Sequence, residues 1–423
     1  MPRIEHVTVT PVAFRDPPLL NAMGVHEPWC QRNIIELRIE GGAVGLGETY
    51  GDEAILRCLQ NAAPRLVGLH VLDLNELGAR VRDAVAEITI DDPESSARTS
   101  KATLTPRIFG AFEVACWDAF GRHTSTPVCD LLGGRVRERI PFAAYLFYRF
   151  ERHRFDPTAP ADPWGEALTP EAIVDQAKRM VELHGFRSLK LKAGVLEPEA
   201  EIEAIRVLRG AFPDAPLRID PNGAWHVHTT LRLLPQMEGL LEYLEDPTLG
   251  IPGMAVIQAA TDMPLATNMC VVAFDHLPPG IAQDAVRIVL SDHHYWGGLA
   301  ASRELSRICA TWGLGLSMHS NSHLGISLMA MAHLAAATPN LSYDCDTHYP
   351  WLEKDSDLIS GPPVRFEGGR MRLPEGPGLG IELDRAALAK MHEDWRTCGQ
   401  RKRNDGGYMR KYKPDWRYER PRY

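Results

Sequence analysis

SLKLKAGV, at residues 188–195, is the stretch that decides the fold of this chain. Its two lysines, Lys190 and Lys192, stand two positions apart in an otherwise apolar run. Side chains alternate between the two faces of a β-strand, so a strand here places both ammonium groups on one face. Buried lysines are costly unless anions meet them. The stretch therefore predicts a buried strand whose polar face meets acidic groups from other parts of the chain.

The sequence around this strand alternates between β-rich apolar runs and helix-like segments. From residue 137 onward there are eight such runs, at residues 140–147, 187–193, 216–221, 240–246, 264–269, 286–292, 313–319 and 341–347. Repeated strand–helix units of this number are typical of a (β/α)8 barrel. We predict an α/β fold with such a barrel over residues 137–365.

The residues before the barrel have a different rhythm. Strand-like alternation is found at 4–14 and 33–40 with a turn at Gly41–Gly42, helical spacing at 53–67, 76–87 and 107–122, and a polar loop is predicted at 91–106. Strands followed by helices predict a small α+β domain over residues 1–130. Residues 366–423 form a C-terminal segment that begins with a hairpin and ends in a basic, aromatic tail.

Composition narrows the functional classes. The chain has 423 residues, of which 44% are apolar, and a formal charge of −9, which argues against general nucleic-acid binding. Its eight cysteines include no CxxC pair, so we expect reduced thiols and neither disulfides nor a zinc site. No apolar run reaches the roughly 18 residues of a membrane span, and the N-terminus has no apolar signal core, so we expect a cytoplasmic protein.

Polar side chains stand where each predicted strand from the second onward ends. In chain order these ends carry Lys190 and Lys192, Asp220 and Asn222, Glu245 and Asp246, Asn268, Asp292 with His293 and His294, His319 and Asn321, and Asp344 and Asp346. In barrels of this type the C-terminal ends of the strands form the active site.

Three of these residues on consecutive strands are oxygen donors. Asp220, Glu245 and Asn268 suit Mg²⁺, with substrate oxygens and water completing its octahedron. The alternative for each residue taken singly is a helix cap or a loop position, but three in a row favour a metal site.

Two opposed bases are predicted on either side of that metal. Lys192 precedes it on the neighbouring strand, with Lys190 as a supporting charge. His319 lies across the barrel, where Asp292 can fix its tautomer and raise its basicity. A metal between two bases suits removal of a proton from the carbon next to a carboxylate. Reprotonation on the other face would racemise or epimerise the substrate, whereas loss of a β-hydroxyl would dehydrate it.

In these residues the chain resembles the enolase superfamily, and within it the glucarate dehydratase group of acid-sugar dehydratases. The blocks that carry the resemblance are SLKLKAG (188–194), DPNGAW (220–225), YLEDP (243–247), ATNM (266–269), SDHHYW (291–296), SMHSNSHLGISL (317–328) and PEGPGLGIELD (374–384). The resemblance implies a modified (β/α)8 barrel, with an N-terminal capping domain that the C-terminal segment completes.

The resemblance also implies roles for single residues. It implies Mg²⁺ on Asp220, Glu245 and Asn268, with Lys192 and His319 as bases supported by Lys190 and Asp292. The residues implied to contact the substrate are Asn222 and Asn321 from the barrel, Tyr145 and Phe147 from its first strand, His26 and Thr103 from the cap, and Arg420 from the C-terminal tail. Arg420 would bind the distal carboxylate of a diacid if the tail folds back over the site. The alternative is that the tail is a disordered basic segment. The implied partners are a small dicarboxylic acid sugar and further copies of the chain in a homo-oligomer, with no nucleic acid or membrane.

The sequence departs from the group after the YLEDP block. Some members carry a further carboxylate on a longer loop there, whereas TLGIPG (248–253) is short and has none. The second metal ligand is then Glu245 or Asp246, and we favour Glu245. We expect dehydration of D-glucarate. The alternatives are a dehydratase or epimerase for another acid sugar such as galactarate, a non-catalytic barrel, and RNA binding through the basic tail.

Overall fold

The N-terminal strands form a small antiparallel sheet. The structure, a computed structural model, describes residues 1–89, 101–159, 162–353 and 356–423, without the side chains of 101 and 102. The first five strands are β1 (Ile4–Arg15), β2 (Leu20–Asn21), β3 (Gly24–Val25), β4 (Trp29–Ile39) and β5 (Val44–Tyr50). β4 lies between β1 and β5. Gly41 and Gly42 have φ values of +91° and +85°, which glycine adopts without steric cost, so the predicted turn joins β4 to β5.

Helices cover one face of this sheet. They are α1 (Glu53–Ala62), which continues into a 3-10 turn, α2 (Leu74–Glu87), α3 (Lys101–His123) and the short α4 (Val128–Leu131). Ile35 and Leu37 of β4 share a fully buried core with Phe112 of α3. The prediction of a loop at 91–106 is wrong from residue 101 onward, and residues 90–100 lie outside the described part of the chain. Pro106, the sixth residue of α3, has no N–H to donate to the carbonyl of residue 102, so the helix lacks one hydrogen bond there.

The chain then alternates between strands and helices. The elements are β6 (Arg139–Pro141), β7 (Ala144–Phe147), α5 (Pro170–His184), β8 (Leu189–Lys192), α6 (Pro198–Ala211), β9 (Leu217–Asp220), α7 (Val227–Met237), β10 (Tyr243–Glu245), α8 (Ile251–Gln258), β11 (Leu265–Thr267), α9 (Leu277–Ala282), β12 (Ile288–Ser291), α10 (His293–Trp296), α11 (Gly298–Trp312), β13 (Gly315–Met318) and α12 (Gly325–Ala337). β7 to β13 form one parallel sheet of seven strands in sequence order.

The eighth predicted strand closes the barrel without forming a regular ladder. Ser342 N and Asp346 N donate to the carbonyl oxygens of Leu316 and Met318 on β13, at 2.9 and 2.8 Å. On its other side, Cys345 O accepts from Ala143 N, just before β7, at 2.9 Å. The run at 341–347 therefore connects the two edges of the sheet, with one isolated bridge where the sequence predicted a strand.

The C-terminal segment returns across both parts of the molecule. Its elements are β14 (Ile359–Ser360), β15 (Arg370–Arg372), β16 (Glu382–Leu383), α13 (Arg385–Thr397) and α14 (Asp405–Tyr412). His392 on α13 bonds to Pro11 O of β1 at 2.7 Å, whereas Tyr423 N donates to Ala224 O of the barrel at 3.0 Å. The division at 1–130, 137–365 and 366–423 stays a prediction. Among the described helices, none is both long and apolar enough to cross a membrane.

Candidate active site

Strand β8 turns its two lysines toward buried carboxylates. Lys190 Nζ lies 2.6 Å from both Asp346 Oδ2 and Glu245 Oε2. Lys192 Nζ lies 2.6 Å from Asp220 Oδ2, which is also 3.8 Å from Lys190 Nζ. Both lysines thus approach the same carboxylate, as the alternation of side chains on a strand requires.

The charge state of Lys190 follows from these contacts. Burial by itself lowers the pKa of Lys190, but the carboxylates of Asp346 and Glu245 outweigh burial and raise that pKa well above its usual value. Lys190 therefore stays protonated and acts as a fixed positive charge. Lys192 is only 8% exposed, and that exposed surface faces the cavity described below.

The three predicted oxygen donors converge beside the lysines. Asn268 Nδ2 donates to Glu245 Oε1 at 2.5 Å, and Tyr145 OH donates to Asp220 Oδ2 at 3.2 Å. Asp246 points elsewhere, because its two oxygens accept hydrogen bonds from Thr267 Oγ1 at 2.6 Å and from Asn268 N at 2.8 Å. Of the two carboxylates in the YLEDP block, Glu245 is therefore the one that faces Lys190 and Asn268.

The charges around these donors fit a divalent cation. Three buried carboxylates, on Asp220, Glu245 and Asp346, face the two ammonium groups of β8, a formal balance of −3 + 2 = −1. Burial, with repulsion from the neighbouring carboxylates, raises the pKa of Glu245 well above its usual value despite Lys190. Carboxylate and amide oxygens are the ligands that Mg²⁺ prefers, so these residues fit that ion.

A second buried chain of hydrogen bonds stands at the ends of β12 and β13. Asp292 Oδ2 lies 2.9 Å from His319 Nδ1, and Asp292 Oδ1 lies 2.8 Å from His294 Nδ1. Burial opposes the charge of Asp292, but both imidazoles outweigh it and hold the pKa of Asp292 well below its usual value. An ionised carboxylate only accepts hydrogen bonds, so His319 carries its proton on Nδ1 and keeps Nε2 free. Burial lowers the pKa of His319, although Asp292 opposes this, so the imidazole is neutral near pH 7.

A cavity of about 510 Å³ opens above the acidic donors and above the Asp292–His319 pair. It lies between the barrel, the cap and the C-terminal segment. Eight of the predicted site residues line it, namely His26, Tyr145, Phe147, Lys192, Asn222, Asn268, His319 and Asn321. Lys190, Asp220, Glu245 and Asp292 are buried beneath it, each in contact with a lining side chain. The fold therefore brings both predicted bases to one space.

Two residues predicted to contact the substrate, Arg420 and Thr103, are not among those that line the cavity. Arg420 Nη1 donates to Asn222 O at 3.0 Å, so its guanidinium contacts the loop after β9. Thr103 lies in the first turn of α3. Their predicted contacts with substrate stay predictions.

Seven cavity residues escaped the sequence reasoning. The cavity is also lined by Arg403, Asp405, Tyr295, Ser320, His348, Asn21 and Met23. The strand-end rule would have found His348, two residues after Asp346, whereas nothing in the basic tail distinguishes Arg403 from its neighbours.

Arg403 and His348 differ in charge. The Arg403 side chain is 35% exposed yet lines the cavity, and its Nη2 pairs with Asp405 Oδ2 at 2.9 Å. His348 stands edge-on to Tyr145, with ring centroids 4.8 Å apart, and burial lowers the pKa of His348 well below its usual value. The cavity therefore holds one guanidinium and one neutral imidazole that the sequence did not single out.

The chain is similar to known proteins over the part that carries this site. The family model described as enolase C-terminal domain-like matches residues 172–387. Among curated proteins, the probable glucarate dehydratase of Streptomyces coelicolor is 44% identical to this chain, covering 98% of the chain and 97% of the relative.

Solved structures extend the similarity to the whole chain. An enolase from Pseudomonas fluorescens Pf0-1, crystallised with magnesium, potassium and tartrate, is 49% identical, with a TM-score of 0.97, over 100% of this chain and 99% of that one. An enolase from Thermobispora bispora, crystallised with magnesium and formate, is 52% identical, with a TM-score of 0.95, over 100% of both chains.

Proposed function

Since the chain belongs to the enolase superfamily, we propose that it is a Mg²⁺-dependent acid-sugar dehydratase that converts D-glucarate to 5-dehydro-4-deoxy-D-glucarate. The observation that carries the proposal is that Lys192 and the Asp292-supported His319 line one cavity beside a set of acidic oxygen donors. The 44% identical relative named as a probable glucarate dehydratase supports the substrate. The magnesium and tartrate of the Pseudomonas fluorescens structure support a divalent cation and a hydroxylated dicarboxylate.

Asp220, Glu245 and Asn268 are the residues that would hold Mg²⁺. The ion, when bound, supplies positive charge that stabilises negative charge as it develops on a substrate carboxylate. Lys190 adds a second fixed positive charge beneath that position, since its contacts with Asp346 and Glu245 keep it protonated.

The protein's own bases would then move the protons. Either Lys192 Nζ or His319 Nε2 takes the proton from the carbon next to the carboxylate, depending on the face on which that proton lies. The C–H electrons form a carbon–carbon double bond as the β-hydroxyl leaves. His319 Nε2 supplies the proton that makes this hydroxyl water: it is the proton just taken from carbon when His319 is the base, and a proton taken up beforehand from solvent when Lys192 is the base. The resulting enol tautomerises to the keto acid. Asp292 keeps His319 in the tautomer and orientation that this exchange needs.

The second carboxylate of a diacid needs a cation at the far end of the cavity. Arg403 is suited to this task because its guanidinium is partly exposed within the cavity while Asp405 orients it. Guanidinium and carboxylate match in shape and can form two parallel hydrogen bonds. We therefore add Arg403 to the proposed substrate-binding residues.

The test is a semicarbazide assay for keto acid with D-glucarate, galactarate and the monoacid gluconate, each with Mg²⁺ and with EDTA. We expect turnover of glucarate that EDTA abolishes and added Mg²⁺ restores, and little turnover of gluconate. Activity on galactarate alone would support the proposed dehydration and contradict glucarate as the substrate. No product from any acid sugar in the presence of Mg²⁺ would contradict the proposal and favour a non-catalytic barrel.

A further inference from the structure

Two tyrosines beside the cavity have no part in the steps above. Tyr50 ends β5 of the N-terminal sheet, and Tyr295 lies in α10 after β12. Their hydroxyl oxygens are 3.1 Å apart, and Asn321 Nδ2 lies 2.5 Å from Tyr50 OH and 3.1 Å from Tyr295 OH. The three side chains therefore form a closed cluster between the cap and two barrel loops.

The cluster holds more hydrogen-bond donors than it can use. The Asn321 amide brings two N–H donors, and each hydroxyl brings one O–H donor. The two amide hydrogens bind the two hydroxyl oxygens and one hydroxyl hydrogen joins the tyrosines, so the other hydroxyl hydrogen has no acceptor in the cluster. Reversing the amide breaks the bond between the tyrosines and leaves both N–H donors unused instead. In the arrangement that the structure shows, Tyr50 OH donates to Tyr295 OH, so the Tyr295 hydroxyl hydrogen is the donor available to a ligand.

The position of Tyr295 directs that donor toward the site of chemistry. Tyr295 lines the same cavity as Lys192 and His319, whereas Tyr50 lines a neighbouring cavity of about 400 Å³. The Tyr295 ring stacks against the His319 imidazole with centroids 5.6 Å apart and planes 23° apart. The Tyr295 side chain is therefore on the side of the cavity where His319 lies.

The Tyr295 ring is also held rigidly. It lies parallel to the Tyr50 ring, with an interplanar angle of 4° and centroids 6.0 Å apart. The guanidinium of Arg107, from α3, lies 4.8 Å from the Tyr295 ring centroid. A donor held by packing on several sides loses little conformational entropy when a ligand binds, which suits a residue that selects substrates.

We propose that Tyr295 is a specificity-determining residue whose hydroxyl donates a hydrogen bond to a substrate hydroxyl on the His319 side of the cavity. The inference rests on the proposed function, because it assigns the substrate a hydroxyl at that place. A neutral phenol suits a neutral hydroxyl, whereas the substrate carboxylates have cationic partners of their own in Arg403 and in the Mg²⁺ that the acidic donor site would hold. Tyr295 thereby selects hydroxylated diacids over deoxygenated ones.

The test compares tartrate with succinate, which share a four-carbon dicarboxylate skeleton and differ only in hydroxyl groups. Binding of each acid to the Mg²⁺-supplemented protein is measured by isothermal titration calorimetry. We expect the wild type to prefer tartrate. Tyr295→Phe should weaken tartrate binding about tenfold, the effect of one hydrogen bond, and leave succinate binding unchanged.

Tyr50→Phe is the matched control, since it removes the neighbouring hydroxyl while Tyr295 keeps its own hydrogen. This variant should retain the preference for tartrate. Equal weakening of both acids by Tyr295→Phe, no weakening of tartrate, or a wild type without preference or without binding would each overturn the inference. The protein could also turn over no acid sugar and still show a preference for tartrate that depends on Tyr295. That result would contradict the proposed dehydration and support this inference.

Discussion

Lys190 and Lys192 are two residues apart and have unlike surroundings. Lys190 is fully buried between Asp346 and Glu245, whereas Lys192 reaches the cavity and touches Asp220. A lysine held between two carboxylates cannot readily release a proton, since the neutral amine would leave both charges unpaired. We therefore propose Lys192 as the base and Lys190 as the supporting charge.

Lys192→Ala should lower kcat on glucarate by about 10²- to 10⁴-fold, the range that general bases contribute, while Mg²⁺ binding is largely kept. The measurements are steady-state kinetics and calorimetric titration with Mg²⁺. Lys178→Ala, which removes an exposed lysine of α5, is the control and should leave kcat unchanged. Substantial turnover by Lys192→Ala would remove this residue as the base.

His319→Asn should block dehydration and still permit exchange of the α-proton from the Lys192 side. The amide fills much of the imidazole's space but cannot pass a proton to the departing hydroxyl. Mass spectrometry of substrate incubated with the variant in D₂O measures the exchange. Absence of both product and deuterium incorporation, in a folded variant, would contradict a scheme with two independent bases.

Among the helices, α12 has a composition that explains its place. GISLMAMAHLAAA is apolar on all sides, and all thirteen of its residues are buried. Its one titratable side chain, His333, accepts from Cys129 N at 3.1 Å through Nδ1 and donates through Nε2 to Leu379 O at 3.2 Å. A neutral imidazole therefore joins α12 to α4 and to the C-terminal segment.

The same histidine predicts how stability depends on pH. Burial lowers the pKa of His333 from 6.5 to about 4, so between these values only the unfolded chain binds the proton. This contribution is complete above pH 6.5 and is lost as the pH falls toward 4. The difference in unfolding free energy between wild type and His333→Gln should thus shrink by about 2 kcal/mol from pH 7.5 to pH 5. Urea denaturation measures it, and the exposed His6→Gln is the control; a pH-independent difference would show that His333 titrates normally.

At the scale of the whole molecule, the last residues join the cap to the loops of the barrel. Trp416 Nε1 donates to Met23 O at 3.0 Å, and Tyr423 O accepts from His226 N at 2.5 Å. The loop held in this way carries Asn222, whose backbone N–H donates to Asp220 Oδ1 at 2.9 Å. The tail thus supports the loop that borders the acidic donor site.

Deleting residues 413–423 should therefore raise KM for glucarate about tenfold or more while the barrel stays folded, because the loop after β9 and the cap lose a shared partner. Kinetics and far-UV circular dichroism are the measurements. Tyr423→Phe keeps the backbone contacts and loses only the bond from Tyr423 OH to Val195 O, so it should behave like the wild type. Unchanged KM after the deletion would show that the tail has no part in the site.

Much of the arrangement could be predicted from the sequence because it is local. Period-two alternation put Lys190 and Lys192 on one face, and the spacing of strand ends brought Asp220, Glu245 and Asn268 to one rim. In the same way, Asp292 and His319 end neighbouring strands, so their hydrogen bond follows from adjacency in a parallel sheet. These relations depend on strand order and pattern, which the sequence by itself determined.

Other features arise only when distant segments meet. Glu245 and not Asp246 faces the lysines, because Thr267 Oγ1 and the backbone N–H of Asn268 donate hydrogen bonds to the Asp246 carboxylate. The tertiary structure likewise decided that Arg403 enters the cavity and that Tyr50 meets Tyr295, 245 residues away in sequence. No periodicity encodes such contacts, because they depend on the path of irregular chain over the barrel and on which side chains it brings together.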